Sequence, residues 1–229
     1  MEYRNELKFM VSDLDIEKIR YRLLSVMDQD EHQGLHGYSV RSIYFDDIYD
    51  NYLYENVAGT DNRKKYRIRL YNGSAELIHL EKKSKYRGMT KKVIQDISKE
   101  ESKFILDENM EKLHEIISSG KESLLREIYI EMLRKKLMPV CIVEYERFAF
   151  VESLGNVRIT FDRNISGSRQ VEKFFEREID CTPVMPHGWH ILEIKYDELL
   201  PHYILQIVDT GTLRRRSYSK YYTVRQALG

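Results

Sequence analysis

Basic residues occupy every second position of segments that otherwise read as β-strands, and this pattern limits what the chain can fold into more than any other feature. In Tyr66-Arg67-Ile68-Arg69-Leu70 and in Ile78-His79-Leu80-Glu81-Lys82-Lys83, charged and apolar side chains largely alternate, with Asn72-Gly73-Ser74 between them as a turn. Residues i and i+2 of a strand share a face, so Arg67 stands with Arg69 and Glu81 with Lys83. The same parity groups Arg4 with Glu6 and Lys8, Arg158 with Thr160 and Asp162, and Glu193 with Lys195, while Ile159, Phe161 and Ile194 fall on the opposite faces. A half-exposed sheet explains any one such strand. Across the whole set, however, the polar face is dominated by Arg and Lys with interspersed Glu, where a solvent face would carry more Ser, Thr, Gln and Asn. A sheet that closes into a barrel with its charged face inward, its apolar exterior covered by helices, accounts for the pattern and lines a wet basic tunnel.

About eight strands are expected, near residues 4–10, 42–46, 65–71, 76–83, 90–97, 141–150, 157–162 and 190–196, with further turns at Tyr86-Arg87-Gly88 and Leu154-Gly155-Asn156. Helical periodicity is confined to the intervals. It predicts a helix over 12–27 with Ser12 as N-cap, a charged pair over 101–118 and 121–137 joined at Ser118-Ser119-Gly120, and shorter helices near 197–207 and the C-terminus. No Pro/Gly/Ser linker or fixed-period repeat interrupts the chain, so residues 1–229 read as one α+β domain, an antiparallel eight-stranded β-barrel tunnel with surrounding helices.

The formal charge is zero, 37 Lys and Arg against 37 Asp and Glu. This argues against a freely basic nucleic-acid binder but not against a local anion site. The zero is built from opposing blocks: a net of −6 over residues 11–60, then +9 over 63–92, where eleven bases meet only Glu76 and Glu81. Cys141 and Cys181 are the two cysteines, which excludes a disulfide framework and a four-thiolate zinc site. No apolar run approaches the roughly 20 residues needed to span a bilayer, and a soluble cytoplasmic protein is expected. Gly88-Met89-Thr90-Lys91-Lys92 lacks the P-loop spacing, and His187-Gly188-Trp189-His190 lacks the i, i+4 histidine pair of a helical zinc site. Arg214-Arg215-Arg216 is placed at the tunnel rim, where it would steer an incoming polyanion.

A tunnel of Arg and Lys suits a polyanion, since guanidinium offers phosphate a bidentate fork and Lys a compact charge. Carboxylates among these bases, Glu193 and Glu81 included, suit a divalent cation that bridges phosphates; a salt bridge is the equally good reading of Glu81. The order of segments resembles the VTC domain, the polyphosphate polymerase module of the triphosphate tunnel metalloenzyme superfamily. The matching stretches run from Arg4-Asn5-Glu6-Leu7-Lys8-Phe9 through Ser42-Ile43-Tyr44-Phe45-Asp46, Tyr66-Arg67-Ile68-Arg69-Leu70-Tyr71, Leu80-Glu81-Lys82-Lys83, Tyr145-Glu146-Arg147-Phe148-Ala149-Phe150 and Val157-Arg158-Ile159-Thr160-Phe161-Asp162 to Leu192-Glu193-Ile194-Lys195 and Tyr218-Ser219-Lys220-Tyr221.

The resemblance implies that Lys8, Arg67, Arg69, Lys83, Arg147, Arg158 and Lys220 grip the nucleotide triphosphate and the growing chain. It implies that Ser219 contacts phosphate, that Lys91 or Lys92 supplies a further cation depending on strand register, and that Glu193 binds manganese or magnesium. The implied activity is ATP-dependent polyphosphate synthesis, with ATP and polyphosphate as partners and no nucleic acid. A metal-dependent triphosphatase and a non-catalytic polyanion-binding module need the same tunnel. Eukaryotic members carry an SPX domain and membrane helices that this sequence lacks, so regulation and translocation would fall to other chains, with a membrane-protein partner as one option.

Overall fold

The protein, described here from a computed structural model covering residues 4–118, 120, 124–211 and 213–229, is organised around one antiparallel sheet. The long strands are β1 (Asn5–Ser12), β3 (Tyr38–Asp46), β4 (Arg63–Tyr71), β5 (Ser74–Tyr86), β6 (Met89–Asp96), β7 (Met138–Glu152), β8 (Val157–Ser168) and β10 (Trp189–Tyr196). They pair in the order β1-β10-β8-β7-β3-β4-β5-β6. Two-residue strands β2 (Asp28–Gln29) and β9 (Thr182–Pro183) add to β7 and β8. The sheet curls until its two edges meet, where the Arg4 amide donates to the Thr90 carbonyl at 3.4 Å, an isolated bridge that closes the barrel at this point. The eight long antiparallel strands were expected from the sequence as a barrel; the sheet is a curled half-barrel whose edges meet at this single bridge.

Local chemistry explains the hairpins. Asn72 and Gly73 between β4 and β5, and Arg87 and Gly88 between β5 and β6, all have positive φ. That is the backbone of the tight turn whose twist matches antiparallel strands. Ser12 caps the helix that follows β1, α1 (Asp13–Leu23): its hydroxyl accepts from the Asp15 amide, and the Asp15 carboxylate accepts from the Ser12 amide at 3.0 Å. The helix expected over 101–118 is divided into α3 (Lys99–Leu106) and α4 (Met110–Ser118) by a turn in which Glu108 adopts positive φ. The following helix, α5, spans Leu124–Lys135; the expected start at 121 and the joint at Ser119 lie outside the described residues.

The apolar alternates form two cores outside the sheet. Ile43, Ile68, Leu70 and Leu80 pack under α3, α4 and α5 through Ile105, Leu113, Leu125 and Ile128. On the other side Ile159, Phe161, Leu192 and Ile194 pack with Ile16 and Ile19 of α1 and with Ile204 of α6 (His202–Val208). Burial of each such side chain contributes roughly 1.5–3 kcal/mol, so the helices hold the sheet curved with its charged face inward. A third cluster lies at the inner face. There Tyr221 and Val224 of α7 (Lys220–Leu228) pack on Val40, Cys141, Val143 and Ile165, close against β8 because a Cβ at Gly167 would come within 2.3 Å of a Val224 methyl. Helix α2 (Asn51–Val57) packs beside α7, and buried Asp46 joins them by accepting from the Tyr52 and Leu53 amides and from the Tyr221 hydroxyl. None of the described helices is long and apolar enough to cross a membrane.

Candidate functional site

The inward strand faces enclose a cavity of about 1140 Å³. Among the described residues, sixteen that line it are Lys or Arg, against two carboxylates, Glu6 and Glu193. Such a wall focuses positive potential on the space inside.

Strand register assembles this wall in three groups. On β4 and β5, Arg67 lies directly opposite Glu81, and its guanidinium contacts Glu81 Oε2 at 2.5 and 2.7 Å. Arg69 and Lys92 reach Glu81 Oε1 at 3.6 and 3.3 Å. Glu81 is 1% exposed and does not line the cavity. Burial would raise its pKa, but Arg67, Arg69 and Lys92 hold it well below the usual carboxylate range. It is therefore a counter-ion behind the cations, the salt-bridge reading of the two that the sequence allowed.

On β7 and β8, Arg147 lies opposite Asp162 and holds it with a two-pronged contact at 2.6 and 2.8 Å. Lys220, at the start of α7, contacts Oδ2 of the same carboxylate at 2.5 Å, an oxygen it shares with Arg147. Burial pushes Asp162 up, yet these two cations bring it down to about 2.

The third group lies on β1 and β10, where Lys8 faces Glu193 at 3.9 Å and Lys195 contacts it at 2.5 Å. Glu6 takes both Lys8 and Lys83 at 3.0 Å. Burial would raise the pKa of Glu193, but the lysines at 195, 8, 220 and 83 hold it well below the usual range. Arg158 also lines the cavity, paired to Asp30 and to the Tyr38 hydroxyl.

Glu193 fits a divalent cation of the kind expected. Its Oε1 has a lysine nearby but no aligned hydrogen bond, and the Thr160 hydroxyl, on the residue directly opposite, is buried without a partner. Among the described residues no cluster of three or more His, Cys, Asp and Glu forms a protein cage for a metal. A cation held here would have one protein carboxylate and take its other ligands from water and ligand phosphate, as magnesium-type sites commonly do.

All the sequence-predicted residues but one line this cavity: Lys8, Arg67, Arg69, Lys83, Lys92, Arg147, Arg158, Glu193, Ser219 and Lys220. Lys91 is the correction. In β6, Lys92 lies opposite Lys83 and shares its inward face, so Lys91, opposite Ser84, points to the exposed outer side. Two residues missed by the sequence reading belong to the site. Tyr145 accepts from Arg69 at 3.2 Å, and its ring lies 4.7 Å from the Lys220 ammonium and 5.2 Å from the Arg147 guanidinium. It holds three cations together without neutralising them. Lys65 also lines the cavity, and its signal was its parity with Arg67 and Arg69. As expected, Arg215 and Arg216 stand exposed at the rim, tied to β1 by the Arg216 amide on the Lys8 carbonyl at 2.9 Å.

A family model described as VTC domain matches residues 3–228. The chain belongs to the VTC domain family. No curated protein matches it by sequence. Among solved structures, the VTC domain is similar to a proposed adenylate cyclase from Bacillus halodurans at 14% identity and a TM-score of 0.55, covering 95% of this chain and 94% of that one. It is also similar to a proposed adenylate cyclase from Vibrio parahaemolyticus at 12% identity and a TM-score of 0.52, covering 98% of both chains. These likenesses are of fold, and the fold agrees with a triphosphate-tunnel protein.

Proposed function

We propose that this VTC domain transfers the γ-phosphoryl group of ATP to the end of a polyphosphate chain within the tunnel and releases ADP. The observation that carries the reading is the charge imbalance of the cavity wall, sixteen bases to two carboxylates, with the balancing acids Glu81 and Asp162 placed behind it. A linear polyanion supplies the missing negative charge along its whole length.

In the reaction an oxygen of the chain's terminal phosphate bonds to the γ-phosphorus, the bond from that phosphorus to the β,γ-bridging oxygen breaks, and ADP leaves with the electron pair. Phosphoryl transfer of this kind depends on positioning and charge stabilisation more than on covalent help from the protein. Arg67 and Arg69, held rigid by Glu81 and Tyr145, would fix donor phosphates; Arg147 and Lys220, held by Asp162, would stabilise the charge on the equatorial oxygens. Lys8, Lys83, Lys92, Arg158 and Ser219 would line the path of the chain. Glu193 would hold a divalent cation, manganese or magnesium, whose charge would offset that of the phosphates.

One observation favours a second reading. Helix α7 packs across the inner face at Val40, Val143 and Ile165, so the wall turns apolar on that side. A short triphosphate with water as acceptor suits such a bounded cavity. Incubating the protein with ATP and manganese separates the readings: long chains on a gel support the polymerase, free phosphate without chains supports hydrolysis, and polyphosphate retention without either product supports a binding module.

A further inference from the structure

The tunnel cations are not all balanced alike, and one of those without a carboxylate points to a ligand. Strand β4 begins at Arg63, so Lys65 faces inward with Arg67 and Arg69. Lys65 lies directly opposite Lys83 on β5, which lies directly opposite Lys92 on β6. Side chains at directly opposed positions have Cβ atoms about 4.5–5.5 Å apart, and like charges placed there repel. Lys83 is relieved by Glu6 at 3.0 Å and Lys92 by Glu81 at 3.3 Å. Among the described residues no carboxylate forms an ion pair with Lys65. Its ammonium meets the Ser219 hydroxyl at 3.3 Å and stands 5.8 Å from the Tyr221 ring centre. The charges around it are Lys83 on β5, Lys8 on β1, and Arg67 and Arg63 on its own strand; together with burial they drive its pKa well below the ordinary lysine value. A lysine kept only for packing has no reason to stand there, since Met would fill the space without the repulsion.

Resting on the tunnel reading above, we propose that Lys65 is a phosphate-binding residue that forms, with Ser219 and the facing Lys83 and Lys92, a subsite for one phosphate group of a linear polyanion. The phosphate supplies the anion that the protein omits. Its oxygens can accept from the Lys65 ammonium and from the Ser219 hydroxyl, and charge-assisted bonds of this kind are the strong ones. An arriving phosphate raises the lowered pKa of Lys65 again, so binding is coupled to proton uptake.

Calorimetric titration of the full chain with inorganic tripolyphosphate at pH 8, in two buffers of different ionisation enthalpy, reads affinity and protons together. The wild-type chain is expected to bind with net proton uptake. Lys65→Arg, always charged, should bind comparably with less uptake. Lys65→Met should bind at least tenfold more weakly, while its thermal midpoint rises because the cost of holding a lysine among cations without a counter-ion is gone. A parallel titration with ATP assigns the subsite: loss toward both ligands places the nucleotide triphosphate there, and loss toward tripolyphosphate alone places the chain there. Lys65→Met binding both ligands within twofold of wild type would overturn the Lys65 assignment and leave the tunnel reading standing. Failure of the wild-type chain to bind either ligand would overturn the tunnel reading, and this subsite with it.

Discussion

Two stretches of the tunnel wall handle positive charge in opposite ways. In the β7–β8 corner, one fully buried carboxylate, Asp162, is clamped by Arg147 and Lys220. Along the row across β4, β5 and β6, three lysines face one another; acids reach Lys83 and Lys92, while Lys65 meets only a hydroxyl and a ring. The first arrangement has its counter-ion built in, so its two cations are oriented before a ligand arrives. The second is incomplete, and an anion from solution finishes it. The difference separates cations oriented by an acid of the protein from a cation whose counter-ion comes with the ligand.

The sharpest way to break the comparison is to remove the acid from the complete corner. Asp162→Ala leaves two buried cations without a counter-ion and should lower unfolding stability by about 3–5 kcal/mol in urea titration; a loss under 1 kcal/mol would put Asp162 on a par with a surface pair. Next in size, Arg67→Ala or Lys220→Ala should cut turnover of ATP roughly 100-fold or more while the chain stays folded, the scale seen when one charge-stabilising donor is removed from a site. An unchanged rate would discredit the tunnel as the place of chemistry.

The two regions should also answer pH with separate limbs. Asp162 falls from its ordinary 3.8 to about 2 in the folded chain, so its stabilisation is full above about pH 5 and is lost as pH falls through 3.8 toward 2. That limb is worth about 2 kcal/mol. Burial lowers Lys83 and Lys92 to about 8 from 10.5, so folding disfavours their charged forms. Their cost is present below pH 8 and is relieved as pH rises toward 10.5, where stability should increase. Urea midpoints across pH 2–10 show both limbs; Lys83→Met with Lys92→Met should shrink the alkaline limb to the part that Lys65 contributes, and a limb of undiminished size would have another origin. The smallest effect expected is that of Tyr145→Phe, which keeps the ring under Lys220 and Arg147 but drops the oxygen that accepts from Arg69. About 1 kcal/mol is at stake, visible as a several-fold change in KM for ATP with a smaller change in kcat.

Much of this was legible in the sequence because strand parity carries it. Arg67, Arg69 and Lys83 could be placed inward, and Ile68, Leu70 and Leu80 outward, from alternation alone, and Ser12 was recognisable as a cap from its position before a helical stripe. Lys65 shares the parity of Arg67 and was passed over because its role lies in what it lacks, and a missing partner has no sequence signal. Lys91 and Lys92 could not be told apart, since a single-residue slip reverses every side chain of a strand; only the pairing of Lys92 with Lys83 settles it. Asp162 was placed on a face with Arg158, but its clamp by Arg147 and Lys220 joins a strand neighbour to a helix 58 residues further on, a closeness that only the folded barrel creates.

The most direct test uses neighbours on one strand. Limited acetylation of the folded chain, with and without tripolyphosphate and read by mass spectrometry, reports each lysine separately. If the barrel interior holds the polyanion, Lys65, Lys83, Lys92 and Lys220 will be protected by the ligand while Lys91, on the outer face, reacts equally in both samples. Equal labelling of Lys92 and Lys91 whether or not the ligand is present would contradict the account.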